Sequence, residues 1–497
     1  MIEEERVRRD RLRAIQDAGI NPYPAKSHRT HLAEAVLEAF DDLETSQKPV
    51  IVAGRIRALR KHGGITFVLL QDASGEIQIV IHKDTNGDDM YEQFHGQADL
   101  GDFYEFQGPV MLTRKGEQSI SAQTIRLLTK TLLPLPEKWH GLSDVETRYR
   151  QRYLDLLANK EVIEKAKARA RMVAAMRAVL ENEDFLEVET PILQPIPGGA
   201  NAKPFITHHS ALHADLYLRI APELYLKRLI VGGFEKVYEF ARCFRNEGIS
   251  PQHNPEFTQI EGYWAYATIE MLMDHIERLL RAACKAVTGT EEVTLGEHTI
   301  SFVNIPRKTF REIVLEHSGI DLDEVKEEEE LRTIMEEKGI KTNDIVGYGE
   351  LVDYLYKHGA RPNIIGPVFV TDYPAAMKPL AKRRDNDPHY SASAQMVILG
   401  MEMFNAFNEL NDPIEQLERF QEQEALRERG SEEGMRIDDD YITALKHGMP
   451  PTAGYGIGID RLAALLTQSD NIKEVILFPT LKPKMDANDA GGEAEST

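Results

Sequence analysis

The sequence predicts an α+β chain in two folded parts, a small β-barrel near the N-terminus and a larger domain that mixes strands and helices. Three observations carry that expectation. The 497 residues exceed what a single core usually serves. Residues 50–130 read as short β segments separated by glycine turns. Beyond residue 149, strand-like and helix-like runs alternate as far as residue 484.

Residues 1–49 read as a helical segment, with Leu12 and Ile15, then Leu32, Ala35, Val36 and Phe40 at helical spacing. Asn21-Pro22-Tyr23-Pro24 interrupts it. In residues 50–130 the runs VIVAGRIRAL, ITFVLLQD, GEIQIVIH, DFYEFQGPVML and QSISAQTIRLL are rich in β-branched and aromatic residues. Gly63-Gly64, Ser74-Gly75 and Lys115-Gly116 mark turns between them. About five strands in roughly eighty residues suit a small closed barrel such as an OB-fold, although a small β-sandwich satisfies the same periodicity. Residues 131–148 carry Pro134 and Pro136 and read as a linker, and Tyr149–Glu181 reads as a long helical stretch. Residues 305–365 are rich in Glu and Lys and are expected to form a helical surface insertion. Residues 485–497 are small and acidic and are expected to be a disordered tail.

Composition narrows the class. Hydrophobic content of 42% and charged content of 28% suit a soluble globular enzyme. The two cysteines, Cys243 and Cys284, stand far apart without a Cys/His cluster, which argues against a disulfide framework or a zinc site and fits a reducing cytoplasm. No apolar run reaches the roughly 20 residues that span a bilayer, so no membrane partner is expected. The first thirty residues lack the apolar stretch of a signal peptide. A net charge of −22 argues against non-specific DNA binding. Basic residues nevertheless cluster at Arg6, Arg8, Arg9, Arg11 and Arg13 and at Arg55, Arg57, Arg60 and Lys61, which leaves a specific RNA partner open.

Two windows hold the chemistry. KVYEFARCFRNE and EFTQIEGYWAY read as two strands, and Arg242, Arg245, Glu247, His253 and Glu256 gather at their hairpin. Arg245 lies in an apolar strand-like run, where an unpaired guanidinium is costly to bury. It either pairs with a glutamate in the sheet or faces an anion. In PPTAGYGIGIDRLAALLT, Gly454, Gly456 and Gly458 lead into a helix that opens at Asp460-Arg461. Such glycines admit a ligand close to the backbone and a helix N-terminus favours an anion, but the pattern also serves plain strand–helix packing.

Phe244-Arg245-Asn246-Glu247 with its His253–Phe257 return resembles motif 2 of class II aminoacyl-tRNA synthetases, and Gly456–Arg461 resembles motif 3. Phe185-Leu186-Glu187-Val188-Glu189-Thr190-Pro191 resembles motif 1, the dimerisation element. Their order, behind an OB-like domain, is similar to subclass IIb, the lysyl, aspartyl and asparaginyl enzymes. Ala221–Tyr225, Arg245–Ser250, His253–Phe257 and Asn405–Asp412 resemble the lysyl branch of bacterial type, and the likeness covers residues 1–484. The aspartyl and asparaginyl relatives usually carry Gln where this chain has Glu223.

The resemblance implies a catalytic domain at 149–484 with an antiparallel sheet flanked by helices, a homodimer, and a cytoplasmic ligase acting on ATP, L-lysine and tRNA(Lys). It implies Arg245 and Arg461 as catalytic residues, with Glu247, His253, Asn254, Phe257 and Glu402 completing the ATP site. Gly199, Glu223, Glu261, Tyr263, Asn405, Phe407 and Glu409 would hold lysine. Arg55, Phe67, Gln78 and Glu117 match the anticodon-reading positions, where an aromatic stacks a base for about 1–3 kcal/mol. For Phe67 the competing reading is plain barrel core. One to three Mg²⁺ ions are expected with ATP. Gln395 stands where the family has its second acidic magnesium ligand, and a neutral amide is a poorer ligand than a carboxylate. Fewer or weaker auxiliary ions follow, with Glu402 as the remaining acid. Met401, Phe404 and Ala406 also depart from the common Arg and Gly choices.

The charges of lysine agree with this assignment. Two ammonium groups and one carboxylate require acids at two separated points. Glu223 and Glu261 suit the α-amino end, and Glu409 with Tyr263 suits the ε-ammonium. Without the family frame, Glu409 reads as a solvated loop acid beside Asn411 and Asp412.

Overall fold

The computed structural model describes residues 3–483 apart from 137–141, 201, 343–344, 346, 379 and 429–435. Part of the expected linker and the whole expected tail at 485–497 lie outside the described residues. The chain divides into two compact units, Met1–Ser143 and Asp144–Thr497. No helix among the described residues is long and apolar enough to cross a membrane.

In the first unit, helices Glu3–Asp17, Ala33–Glu38 and Phe40–Ser46 precede seven strands. These are β1 (Val50–His62), β2 (Ile65–Gln71), β3 (Glu76–His82), β4 (Phe103–Gly108), β5 (Val110–Leu112), β6 (Gln118–Ser121) and β7 (Thr124–Thr129). β4 and β5 are one run divided at Pro109, which has no N–H for a ladder. The first half pairs with β1 and the second with β6, so the sheet closes on itself as an OB-type barrel. Five strand-like runs thus become seven strands, because Pro109 splits one run and Ala122-Gln123 splits another. The helix Asp88–Gln97 fills the gap before β4 and inserts Tyr91 and Phe94 into the barrel core.

The basic cluster at the N-terminus is not a free cationic patch. Arg8 is buried and donates to the Leu100 carbonyl and Thr131 Oγ1, and Arg11 pairs with Asp99. Arg6, Arg9 and Arg13 each pair with an acid on their own helix.

In the second unit, the helical stretch read over Tyr149–Glu181 consists of three helices, Val145–Arg150, Arg152–Ala158 and Lys160–Asn182. Gln151 and Asn159 leave helical geometry at the two junctions. Buried Asp155 ties the junctions together, accepting from the side chains of Arg148, Arg152 and Asn159.

The strands of this unit begin with β8 (Leu186–Glu187), followed by a small sheet of β9 (Leu193–Gln194), β10 (Ile206–His209) and β11 (Ala214–Leu218). Next come β12 (Lys236–Phe244), β13 (Glu256–Ala265) and the hairpin of β14 (Glu292–Leu295) and β15 (His298–Ser301). Last are β16 (Arg307–Thr309), β17 (Val368–Thr371), β18 (Ser393–Ile398), β19 (Met401–Asn408) and β20 (Thr452–Gly458). Among the described residues the main sheet runs β16-β17-β18-β19-β20-β13-β12-β8. Its pairings are antiparallel except at the two edges, β16 with β17 and β12 with β8.

Alternation along the strands divides the sheet into a core face and a site face. Ile260, Ala394, Met396, Phe404, Ala406, Ala453, Tyr455 and Ile457 join one buried cluster with helices Lys160–Asn182, Ile269–Thr288 and Ile459–Leu466. The residues between them, Gln259, Glu261, Tyr263, Gln395, Asn405, Phe407, Gly454, Gly456 and Gly458, face the other way.

The segment 305–365 contains helices Phe310–Ser318, Glu328–Glu337 and Tyr348–Leu355, whose Phe310, Val314, Leu331, Met335, Leu351 and Leu355 share a core with Val368, Val370 and Val397 of β17 and β18. A π-helical turn, Tyr356–Ala360, ends the segment.

Candidate active site

Register builds the floor of the site. Gln395, Asn405, Gly456 and Glu261 lie opposite one another across β18, β19, β20 and β13, and Ser393, Phe407, Gly454 and Tyr263 form the next row. In both rows the β20 position is glycine. A Cβ on Gly454 would collide with the Glu409 carboxylate and the Tyr263 ring, so this glycine is what lets the two larger side chains meet. Gly199 serves the same end from above: its φ is +85°, and a Cβ there would lie 2.8 Å from Glu223 Cβ.

All fifteen candidate residues of this unit line one cavity of about 390 Å³: Gly199, Glu223, Arg245, Glu247, His253, Asn254, Phe257, Glu261, Tyr263, Gln395, Glu402, Asn405, Phe407, Glu409 and Arg461. Charged side chains stand at both ends of the cavity, among apolar ones such as Phe257, Leu380, Met403 and Phe407.

At one end, Glu223, Glu261 and Glu409 are all buried. Lys227, fully buried on the helix Glu223–Val231, places its Nζ 2.5 Å from Glu223 Oε1 and pairs with Glu409. Its ammonium also lies 5.7 Å from the Phe407 ring. The Lys227 ammonium lies against Glu409 Oε2, and Glu409 Oε1 is buried without a hydrogen-bond donor. Glu261 accepts from Gln259 Nε2 at 2.7 Å and from the Tyr263 hydroxyl at 3.1 Å. Sequence reasoning joined Tyr263 to Glu409 and kept Glu223 apart from Glu409. In the structure the hydroxyl is on Glu261, and one ammonium touches both Glu223 and Glu409, so the acids form a connected cluster.

Burial and then the charge of Glu223 push Glu261 above the ordinary carboxylate range. Burial pushes Glu409 up to about 8 against the pull of Lys227. Burial works against the Lys227 ammonium, but Glu223 and Glu409 outweigh it and hold its pKa well above the ordinary lysine value. One cation among three acids leaves Glu261 and Glu409 held toward their protonated forms, each able to ionise when a positive charge arrives. The cluster is built to accept a further cation.

At the other end the sign reverses. Arg245 has no ion pair with a described residue; its Nε is buried without a partner and its guanidinium lies 5.0 Å from the Phe257 ring. The alternative of an Arg–Glu pair inside the sheet is taken instead by Arg242, which reaches Glu256 at 3.4 Å. Arg461 donates to His253 Nε2 at 2.8 Å. Since Nε2 accepts there, the other ring nitrogen carries the proton and donates to Ser250 Oγ at 2.8 Å. Partial burial and then Arg461 hold this imidazole below its ordinary value, which keeps it neutral at neutral pH. Burial and then Arg245 also lower the Arg461 pKa. Two arginines that repel each other and lack acids describe an anion site. Asn254 lines this end, but its amide is engaged, donating to the Glu256 carbonyl and accepting from Thr480 N. Glu247 and His253 stand at the exposed rim.

Between the ends, Glu402 accepts from Arg361 Nη1 at 2.7 Å and from Gln395 Nε2 at 3.3 Å. No group of three or more His, Cys, Asp or Glu that could hold a metal occurs among the described residues. One carboxylate, already paired, does not make a metal site by itself. It fits only an ion that arrives on phosphate oxygens.

On the barrel, Phe67 is half-buried between buried Thr66 and Val68, so it faces outward and is not core. Arg55, also half-buried, stacks 4.2 Å from the Phe103 ring, and Gln78 donates to Ser119 Oγ at 2.9 Å. Glu117 is exposed on the turn entering β6, whose Ser119 pairs with Gln78. Strand pairing thus brings Arg55, Phe67 and Gln78 to one outer face, with Glu117 at its margin.

Residues 144–482 match the family described as tRNA synthetases class II (D, K and N), and residues 50–128 match the OB-fold nucleic acid binding domain. Fold and site thus define a class II tRNA synthetase. The lysine–tRNA ligase of Pelotomaculum thermopropionicum is 48% identical over 96% of this chain and 95% of its own length. Those of Moorella thermoacetica and Carboxydothermus hydrogenoformans are each 47% identical over 96% of this chain, covering 97% and 98% of their own lengths. The chain belongs to the lysine–tRNA ligase family.

Sequence reasoning missed Lys227, Gln259, Arg361 and Lys378. Glu223 and Lys227 are four residues apart, which reads as an ordinary surface pair on a helix; burial is what makes it part of the site. Replacing Lys227 with Met leaves buried carboxylates without their cation and should cost about 3–5 kcal/mol at pH 8. Carboxylates whose folded pKa is raised contribute stability at low pH that is lost as pH rises. The deficit of Lys227→Met should therefore shrink toward pH 5, as read from urea denaturation of the full chain at both pH values. An equal deficit at both would contradict the cluster.

Proposed function

We propose that the chain activates L-lysine with ATP to lysyl-adenylate, releasing pyrophosphate, and then transfers lysine to the 3′ end of tRNA(Lys), releasing AMP. One observation carries this reading: a single cavity has three buried acids against one internal ammonium at one end and arginines without acid partners at the other. Lysine laid along it presents ammonium groups to the first and its carboxylate toward the second.

In this reading Glu409 takes the ε-ammonium beside Phe407, and Glu223, Glu261 and the Gly199 segment take the α-amino group. Tyr263 orients Glu261, and Asn405 faces the reacting carboxylate. Phe257 stacks on adenine. Arg245 binds the α-phosphate and the lysine carboxylate, and Arg461, oriented by neutral His253, binds the terminal phosphate. Glu247 and Asn254 complete the nucleotide contacts.

The carboxylate is already ionised near neutral pH, so its attack on the α-phosphorus needs no general base. Its oxygen forms the new P–O bond while pyrophosphate leaves. The work of the protein is positioning and charge neutralisation. Mg²⁺, held by ATP phosphates and Glu402, supplies further neutralisation when bound. In the second step the terminal ribose hydroxyl attacks the anhydride carbonyl and AMP leaves.

The barrel face of Arg55, Phe67, Gln78 and Glu117 reads the anticodon. A homodimer belongs to the same reading, supported by Leu186, Ile192, Leu193 and Ile206, which are 43–63% exposed on and after the motif-1 segment. Cytoplasmic residence fits two buried free cysteines.

ATP–pyrophosphate exchange with each standard amino acid tests the reading, and lysine alone should support it. Exchange with aspartate or asparagine, or none with lysine, would overturn it. Phe67→Ala should raise the tRNA KM about tenfold, the equivalent of one lost stacking contact, with tRNA-independent exchange unchanged. Equal loss in both assays would assign Phe67 a structural role.

A further inference from the structure

Lys378 lines the same cavity, just after the short helical turn Ala375–Met377. Its ammonium donates to Asn405 Oδ1 at 3.3 Å and lies 4.7 Å from the Tyr373 ring. It forms no ion pair with a described residue. The acid that acts on it most strongly is Glu402, and that carboxylate is already paired with Arg361 at 2.7 Å. Arg361 follows directly on the π-helical turn Tyr356–Ala360, a rare geometry that recurs at functional sites.

The same row of the sheet carries Gln395, opposite Asn405. A carboxylate at this position would add a charge that calls for a cation. The amide adds none, and it donates its N–H to Glu402 instead. The three side chains converge on one result. The acid beside the phosphate path is neutralised from within, and an ammonium with no acid of its own reaches the cavity.

We propose that Lys378 is a phosphate-binding residue for ATP and pyrophosphate, supplying from the protein positive charge that a second divalent cation would otherwise bring. Arg361 is its positioning partner, holding Glu402 so that this carboxylate does not capture the lysine ammonium. An ammonium delivers its charge as a compact point and forms charge-assisted hydrogen bonds to phosphate oxygens. Phosphate binding in this chain therefore survives removal of divalent cations better than a site with two acidic metal ligands. The inference rests on the reading of the cavity as the ATP and lysine site.

The test is calorimetric titration of the full chain with inorganic pyrophosphate and with α,β-methylene-ATP, each in excess EDTA and in Mg²⁺. The wild type should bind pyrophosphate in EDTA. Lys378→Met should weaken that binding about tenfold or more, as expected for one charge-assisted contact. In Mg²⁺ the loss should be smaller, and Lys378→Arg should restore binding in EDTA. No binding of pyrophosphate by the wild type in EDTA would overturn the inference, as would an unchanged affinity in Lys378→Met. An equal loss with and without Mg²⁺ that Lys378→Arg fails to rescue would make Lys378 structural and overturn it too. If the wild type fails to bind the ATP analogue even in Mg²⁺, the reading of the cavity itself falls.

Discussion

The ion cluster of Glu223, Lys227, Glu261 and Glu409 is the constraint on which the rest of the site depends. Two buried carboxylates, Glu223 and Glu409, share one internal ammonium, and a third, Glu261, is buried beside them on Gln259 and Tyr263. Buried charge of one sign is tolerated only with partners in good geometry. The fold supplies them through parts far apart in sequence. The helix Glu223–Val231 brings one acid and the cation, β13 brings the second acid, and the end of β19 brings the third. Gly454 is the contact that makes the meeting possible, since any side chain there would occupy the space of Glu409 and Tyr263. Burial holds Glu261 and Glu409 toward their protonated forms, and each can give up its proton when a cation arrives, which is what a substrate with two ammonium groups requires.

The opposite end follows from the same sheet. Alternation along β18, β19, β20 and β13 places apolar side chains on the helix-covered face and polar ones in the cavity. Arg245, just past the end of β12, and Arg461, in the first turn of the helix after β20, reach the cavity from strands on either side of β13. Acid and base ends are therefore fixed on one rigid frame, and a zwitterionic substrate has one orientation in it. Catalysis by positioning needs such a frame more than it needs a proton-transfer group.

Much of this was legible in the sequence where the signal was local. The strand-like runs of the barrel, the glycines before Asp460-Arg461 and the three motif-like windows all depend on near neighbours. What was not legible depends on tertiary burial. The Glu223–Lys227 spacing is common on exposed helices, and only packing beneath Phe407 and Tyr441 makes it a buried ion pair. The helical stretch after Tyr149 has no proline or glycine to betray its breaks, which are set by Asp155 gathering three side chains. Arg361 and Lys378 lie in a helical insertion and its return, where charged residues read as solvated surface. The N-terminal arginines misled in the opposite sense, since a basic run in sequence became internal ion pairs in space.

The central claim is that the buried acid cluster selects a ligand by its side-chain ammonium. Calorimetric binding of lysine and of norleucine to the wild-type chain tests it most directly, because norleucine keeps the four side-chain carbons and has hydrogen in place of the ε-ammonium. The account predicts that lysine binds and that norleucine binds at least about a hundredfold more weakly, as expected when buried carboxylates are left without their cation. Comparable affinities for the two would contradict it.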